Sequence, residues 1–153
     1  MKLRLAEQIL SDLMDRHLDD SWTYRFGQAV RFYGYCTYDT KTITISEPLT
    51  VLNSESDFIN TVLHEIAHAL AGKGTHHGYK WQAIAKNIGC DARRCYGAHV
   101  IRPKGKWLAY CVKCAMRREY ARKREAMVCG ACCRKHNFGK YDIKYKLSWR
   151  QVK

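Results

Sequence analysis

No stretch of this 153-residue chain approaches the roughly 18 to 20 apolar residues needed to cross a bilayer. Its start, Met1-Lys2-Leu3-Arg4-Leu5-Ala6-Glu7, has no uninterrupted apolar run of signal-peptide length. Together these absences predict a soluble intracellular protein with no membrane partner, cytoplasmic or, in a eukaryote, nuclear. Internal repeats and low-complexity linkers are also missing, and the length suits one buried core with a small appendage rather than two full domains. Acidic residues are scarce after residue 70. Residues 1–70 carry 6 Lys/Arg against 10 Asp/Glu, whereas residues 71–153 carry 21 against 4. A basic half joined to an acidic one points to a polyanionic partner, nucleic acid above all; a merely solvated surface is the alternative.

Eight cysteines are present, and in a reducing compartment they read as metal ligands rather than disulfides. Cys111-Val112-Lys113-Cys114 and Cys129-Gly130-Ala131-Cys132 form two C-x-x-C pairs with 14 residues between them, the pattern of a structural four-cysteine zinc site. Cys133 competes with Cys132 as the fourth ligand. Two disulfides or a redox dithiol are the other reading of these pairs. Cys36, Cys90 and Cys95 are left as buried or free thiols, with Cys90 and Cys95 as a possible local pair. Tyr141, Ile143, Tyr145 and Leu147 alternate with polar residues and predict a closing strand, completing a small β ribbon. Between the cysteine pairs lies the densest basic run, with Arg117, Arg118, Arg122, Lys123 and Arg124 as candidate phosphate contacts and Trp107, Tyr110 or Tyr120 as stacking partners; a solvated turn is the plainer reading.

The first part of the chain reads as mixed α and β. Leu3, Ala6, Ile9, Leu10, Leu13 and Met14 fall on one helical face. Trp22 to Phe26, the aromatic run Ala29 to Tyr38, and Thr42 to Ile45 predict three short strands, the last two a hairpin that Ser46-Glu47-Pro48 ends. In this setting Tyr33 and Tyr35 are sheet residues rather than a stacking platform. A helix over 56–71 follows, with N-cap residues just upstream in Ser54-Glu55-Ser56-Asp57 and an apolar face of Phe58, Ile59, Val62, Leu63, Ile66, Ala67 and Leu70.

That helix contains His64-Glu65-Ile66-Ala67-His68, or H-E-x-x-H. Residues four apart share a helix face, so His64 and His68 can hold one ion while Glu65 reaches a water beside it. Two imidazoles and a carboxylate in an apolar segment are costly to bury unsatisfied, and a metal satisfies them. A catalytic zinc usually has three protein ligands and one open position. His76 or His77, after the turn at Gly72-Lys73-Gly74, supplies the third, and a helix from Tyr79 to Ile88 packs Trp81 behind the site.

These residues carry a resemblance. Val62-Leu63-His64-Glu65-Ile66-Ala67-His68-Ala69-Leu70 followed by His77-Gly78-Tyr79-Lys80-Trp81, with the hairpin upstream and the cysteine pairs downstream, resembles the SprT-like (Spartan) zinc metalloproteases over about Trp22 to Cys132. The resemblance implies an α+β, zincin-like metalloprotease core: an N-terminal helix, a small sheet with a hairpin and two active-site helices, followed by the zinc ribbon. It implies domains at 1–100 and 101–153, His77 as third ligand beside His64 and His68, and Glu65 as catalyst. Two zinc ions are expected, one catalytic and one held by Cys111, Cys114, Cys129 and Cys132. For some relatives it implies action on DNA-associated or DNA-crosslinked proteins, which makes a protein substrate and single- or double-stranded DNA the expected partners. The expected chemistry is peptide hydrolysis with Glu65 as general base; Tyr79, His76 and Arg102 are candidate oxyanion helpers. A nucleic-acid-binding adaptor with a structural metal site, and a metallohydrolase of a non-peptide substrate, are the competing classes. Glu65 argues against the adaptor, since a structural site needs no carboxylate beside its first ligand.

Overall fold

Ala6, Leu10 and Met14 recur four residues apart along α1 (Leu3–His17) and are all buried, the outcome expected of a single apolar stripe on a helix. The computed structural model describes residues 1–94, 97 and 99–152; Cys95, named above as a thiol, and Lys153, at the basic end of the chain, lie outside them. The chain forms two compact units, Met1–Pro103 and Lys104–Lys153.

In the first unit, β1 (Thr23–Gly27), β2 (Gly34–Thr37) and β3 (Thr42–Ser46) make a sheet in the order β1-β3-β2. β2 and β3 are an antiparallel hairpin, while β1 runs parallel to β3, with Tyr24 opposite Ile43 and Phe26 opposite Ile45. β3 lies in the middle with Ile43, Thr44, Ile45 and Ser46 all buried. Its two isoleucines meet Leu10, Tyr33, Leu49, Phe58, Val62 and Ile66 in the core, each fully buried aliphatic side chain contributing about 1.5–3 kcal/mol.

The hairpin does not end at Pro48. Ser46 caps a short helix α2 (Glu47–Leu52), its Oγ accepting from the Leu49 N–H at 3.2 Å, with Pro48 in the first turn. Proline is tolerated there because first-turn N–H groups have no intrahelical partner. α3 (Glu55–Ala71) then starts at Ser54, whose Oγ accepts from the Asp57 N–H at 3.2 Å, and stops at Gly72, which takes φ 88° and donates to the His68 carbonyl at 3.1 Å. α4 (Tyr79–Asn87) packs against α3 through the buried Trp81 and Ala85. No helix among the described residues is long and apolar enough to cross a membrane.

The second unit is a three-stranded antiparallel sheet, β5-β4-β6, from β4 (Trp107–Tyr110), β5 (Arg117–Tyr120) and β6 (Ser148–Gln151). Two expectations are corrected here. The stretch from Tyr141 to Leu147 is not a strand: Asp142 caps a 3-10 turn over Ile143–Tyr145, and the closing strand comes afterwards, at 148–151. The turn lets both Tyr145 and Leu147 pack on the cysteines, which strict alternation in a flat strand would leave to the pairing of its neighbours. The ribbon is also not all β. The second cysteine pair opens α5 (Gly130–His136), with the Cys133 N–H donating to the Cys129 carbonyl at 2.9 Å; no β-branched residue occurs in that segment to favour extended backbone. The whole is α+β.

Candidate functional site

One helical turn separates His64 from His68 on α3, and the chain brings a third imidazole to them in nine residues. The turn after Gly72 is closed by Thr75 and Gly78, whose N–H groups donate to the Gly72 and Thr75 carbonyls at 3.4 and 3.1 Å. Gln82 on α4 donates to the His77 carbonyl at 3.1 Å, and Lys80 to the Ala71 carbonyl at 2.8 Å. His76 takes φ 46°, a left-handed conformation unusual for a residue with a Cβ. The turn therefore aims His77 inward and leaves His76 exposed on the rim.

His77 Nε2 lies 3.0 Å from His64 Nε2 and 3.1 Å from His68 Nε2. A neutral imidazole nitrogen has one in-plane site, as donor or acceptor, so His77 Nε2 can satisfy one neighbour but not both. A single cation satisfies all three, and tetrahedral zinc with bonds of about 2.0–2.1 Å sets nitrogens roughly 3.3 Å apart. The donor set fits. Burial pushes His64 down to about 4, helped by His68 and His77, and pushes His68 to about 4, helped by His77 and His76. Burial, then Arg94 and His76, also lower His77. All three are thus neutral near pH 7, the form that binds metal. The buried Trp81 ring forms the floor, its centroid 4.7, 5.3 and 4.6 Å from those of His64, His68 and His77.

Glu65 lines the same cleft and is only 6% exposed. Burial pushes its carboxyl up to about 8, against the backbone N–H of Cys36, which donates to it. The hairpin reaches this close because residue 34 is glycine. A Cβ there would stand 2.8 Å from Glu65 Cγ and 3.0 Å from its Oε1. Reading the sequence placed Gly34 only within an aromatic run, and nothing local distinguishes it; the contact is 31 residues away. Tyr38, also on the hairpin side, donates to the His68 carbonyl at 3.3 Å. The cleft, about 770 Å³, is lined further by Tyr35, His76 and Arg102; Tyr79 is 89% exposed and lies outside the lining.

In the second unit, Cys111, Cys114, Cys129 and Cys132 bring their sulfurs within 4.8 Å of one another. Cys111 Sγ is 3.7 Å from Cys132 Sγ, and Cys114 Sγ is 3.5 Å from Cys129 Sγ. These are far beyond a disulfide bond of about 2.05 Å and near the roughly 3.8 Å edge of a tetrahedral site with Zn–S of about 2.3 Å. Burial acts to raise the Cys111 thiol, but the N–H groups of Cys114 and Lys113 bring it down to about 7, favouring the ligating thiolate. Cys133 is buried among the same residues but outside the group of four. Cys36 is half-buried and Cys90 buried, both free.

The basic residues do not form one surface. Directly opposed residues share a face of the sheet, so Arg118, with Ala109 and Trp149, lies on the cysteine side, while Arg117, Tyr110 and Ser148 lie on the other. Arg122, Lys123 and Arg124 are exposed in the segment after β5. Lys123 Nζ stands 6.0 Å from the Trp107 ring centroid, and the Arg118 guanidinium 5.7 Å from that of Tyr120.

Among curated proteins, none matches the chain. A solved structure, the metallopeptidase zymogen abylysin of Pyrococcus abyssi, is similar at a TM-score of 0.44 and 18% identity, over 54% of this chain and 87% of that one. The SprT-like family model matches residues 4–100, which span α1 to α4 and every residue of the three-histidine cluster. The chain belongs to the SprT-like family.

Proposed function

We propose that this protein is a zinc-dependent endopeptidase whose catalytic ion is held by His64, His68 and His77, with Glu65 as general base and acid. The observation that carries this reading is the convergence of three neutral imidazole nitrogens beside a buried carboxylate in one cleft. Zinc in such a set supplies a Lewis acid that acidifies water and polarises a peptide carbonyl. Glu65 takes the proton of the attacking water on its carboxylate and passes it to the leaving amine. Its burial suits both steps, since a carboxyl raised to about 8 holds a proton near neutral pH more readily than an exposed one. The Cys36 N–H fixes its orientation, and His76 and Arg102 stand on the rim where a developing oxyanion can draw on positive charge.

Glu65→Gln tests this, because it keeps shape and removes the base. Peptide hydrolysis is expected to fall by at least ~10³-fold with zinc content unchanged; full activity would remove the assignment.

The second unit, in this reading, carries a structural zinc and binds nucleic acid, which directs the peptidase to DNA-associated or crosslinked proteins. It holds 15 of the 27 Lys/Arg and 3 of the 14 Asp/Glu. Arg117 paired across the sheet with the exposed Tyr110 offers a cation beside a stacking ring, an arrangement that serves single strands. Binding to single-stranded and duplex DNA is expected to weaken steeply with salt, as counterion release requires. No binding at low salt would end this part of the proposal. Incubation with a DNA-binding protein, with and without DNA, is expected to yield fragments faster when DNA is present.

A further inference from the structure

Residues 1–103 are almost electroneutral, with 12 Lys/Arg and 11 Asp/Glu, yet the charges are not evenly spread. Five of those cations, Arg31, Lys73, Arg93, Arg94 and Arg102, line the cleft, whereas Glu65, which is buried, is the one carboxylate among the lining residues. Two of the five have a nearby acid: Lys73 Nζ is 3.0 Å from Asp39, and Arg93 Nε is 3.9 Å from Asp91. Both cations remain more than 70% exposed, and such solvated pairs are weak enough to exchange partners. Phe32 and Tyr35, 57% and 40% exposed, add apolar surface to the same wall.

Resting on the endopeptidase reading above, we propose that the cleft selects polypeptide segments bearing Asp or Glu beside the scissile bond, with Arg93 and Arg94 as specificity-determining residues. Charge complementarity alone would also accept a polynucleotide. A peptide fits better because β2, paired with β3 along one side only, runs along the cleft through Gly34, Tyr35 and Cys36, and a free strand edge recognises an extended main chain. Lys- or Arg-flanked segments face like charge in the cleft, and that repulsion counts against them as much as attraction favours the acidic ones.

Three peptides of one length and one core sequence, flanked by Asp/Glu, by Ala/Ser or by Lys/Arg, are presented to the zinc-loaded full chain. Two or three partly exposed ion pairs combine to about 10-fold in kcat/KM for the acidic over the basic peptide, carried in KM and shrinking between about 0.05 M and about 0.5 M salt. The Arg93→Gln/Arg94→Gln protein is expected to lose most of that ratio, and Arg93→Lys/Arg94→Lys to keep it. Turnover of the neutral peptide with no preference, or a preference for the basic one, overturns the proposal while leaving the peptidase reading intact. Should no peptide be cleaved, the peptidase reading fails, and fluorescence anisotropy of the same peptides on Glu65→Gln still decides, equal affinities overturning the selectivity. Inhibition of neutral-peptide cleavage, or of its binding, by a single-stranded oligonucleotide in wild type but not in the Gln variant would assign the cleft to polynucleotide and likewise overturn it.

Discussion

The two units use cysteine, histidine and apolar residues in opposite ways. In Met1–Pro103 the core is aliphatic and aromatic, and the three-histidine cluster sits to one side of it, between α3, α4 and the hairpin. In Lys104–Lys153 the cysteines are the core: Cys111, Cys129, Cys132 and Cys133 are buried together with Ala109, Tyr145 and Leu147. Fifty residues with 15 Lys/Arg cannot bury enough apolar surface to fold on that basis alone. The contrast teaches which metal the fold needs. A chelator is expected to unfold the second unit and to leave the first folded but inert.

The sharpest test of that contrast is Cys129→Ser. Structural zinc contributes about 10–16 kcal/mol in small metal-held domains, so one zinc equivalent and the protease resistance of residues 104–153 are expected to disappear together, with the dispersion of amide signals from the first unit retained. Unfolding of both units would show that the contrast is false.

Gly34→Ala probes the first unit at its site rather than its core. The new methyl meets Glu65 at 2.8–3.0 Å, and shifting a catalytic group by about 1 Å costs about 10²-fold in rate. We expect kcat to fall by that order with zinc content and melting temperature nearly unchanged. A large fall in stability would instead place Gly34 in the fold's support.

The smallest effect is at the start of α3. Ser54→Ala is expected to cost about 1 kcal/mol at pH 7, read by denaturant unfolding of the first unit. The Asp57 carboxyl is held below its ordinary value by Ser54 first and by His99, 2.7 Å away, against some burial. A carboxyl lowered in the folded state stabilises fully above the unfolded value of about 3.9, and loses that contribution as pH falls through the folded value. The gap between wild type and Ser54→Ala should therefore narrow below about pH 4, and Asp57→Asn should flatten the dependence.

How much of this was legible in the chain depends on the range of the interaction. H-E-x-x-H, its helix and the C-x-x-C pairs are local patterns, and their geometry follows from helical periodicity and short spacing. α2 was missed because Pro48 marks an end or a first turn equally well, and only the Ser46 cap decides between them. The strand expected before Leu147 failed because two residues that both face the cysteines cannot be told, by alternation, from one face of a strand. The parallel pairing of β1 with β3 left no local mark at all.

For the candidate site itself, residue types and spacings in the sequence are enough to bring two imidazoles to one helix face, a third within a short turn, and four thiols to one point, since each depends on contacts a few residues apart or on an ion that gathers them. Tertiary structure alone decided that His77 rather than His76 turns inward, that Gly34 lets the hairpin touch Glu65, that Trp81 floors the three rings, and that five cations share the cleft. Those contacts join residues distant in sequence, and only the packed chain sets their distances.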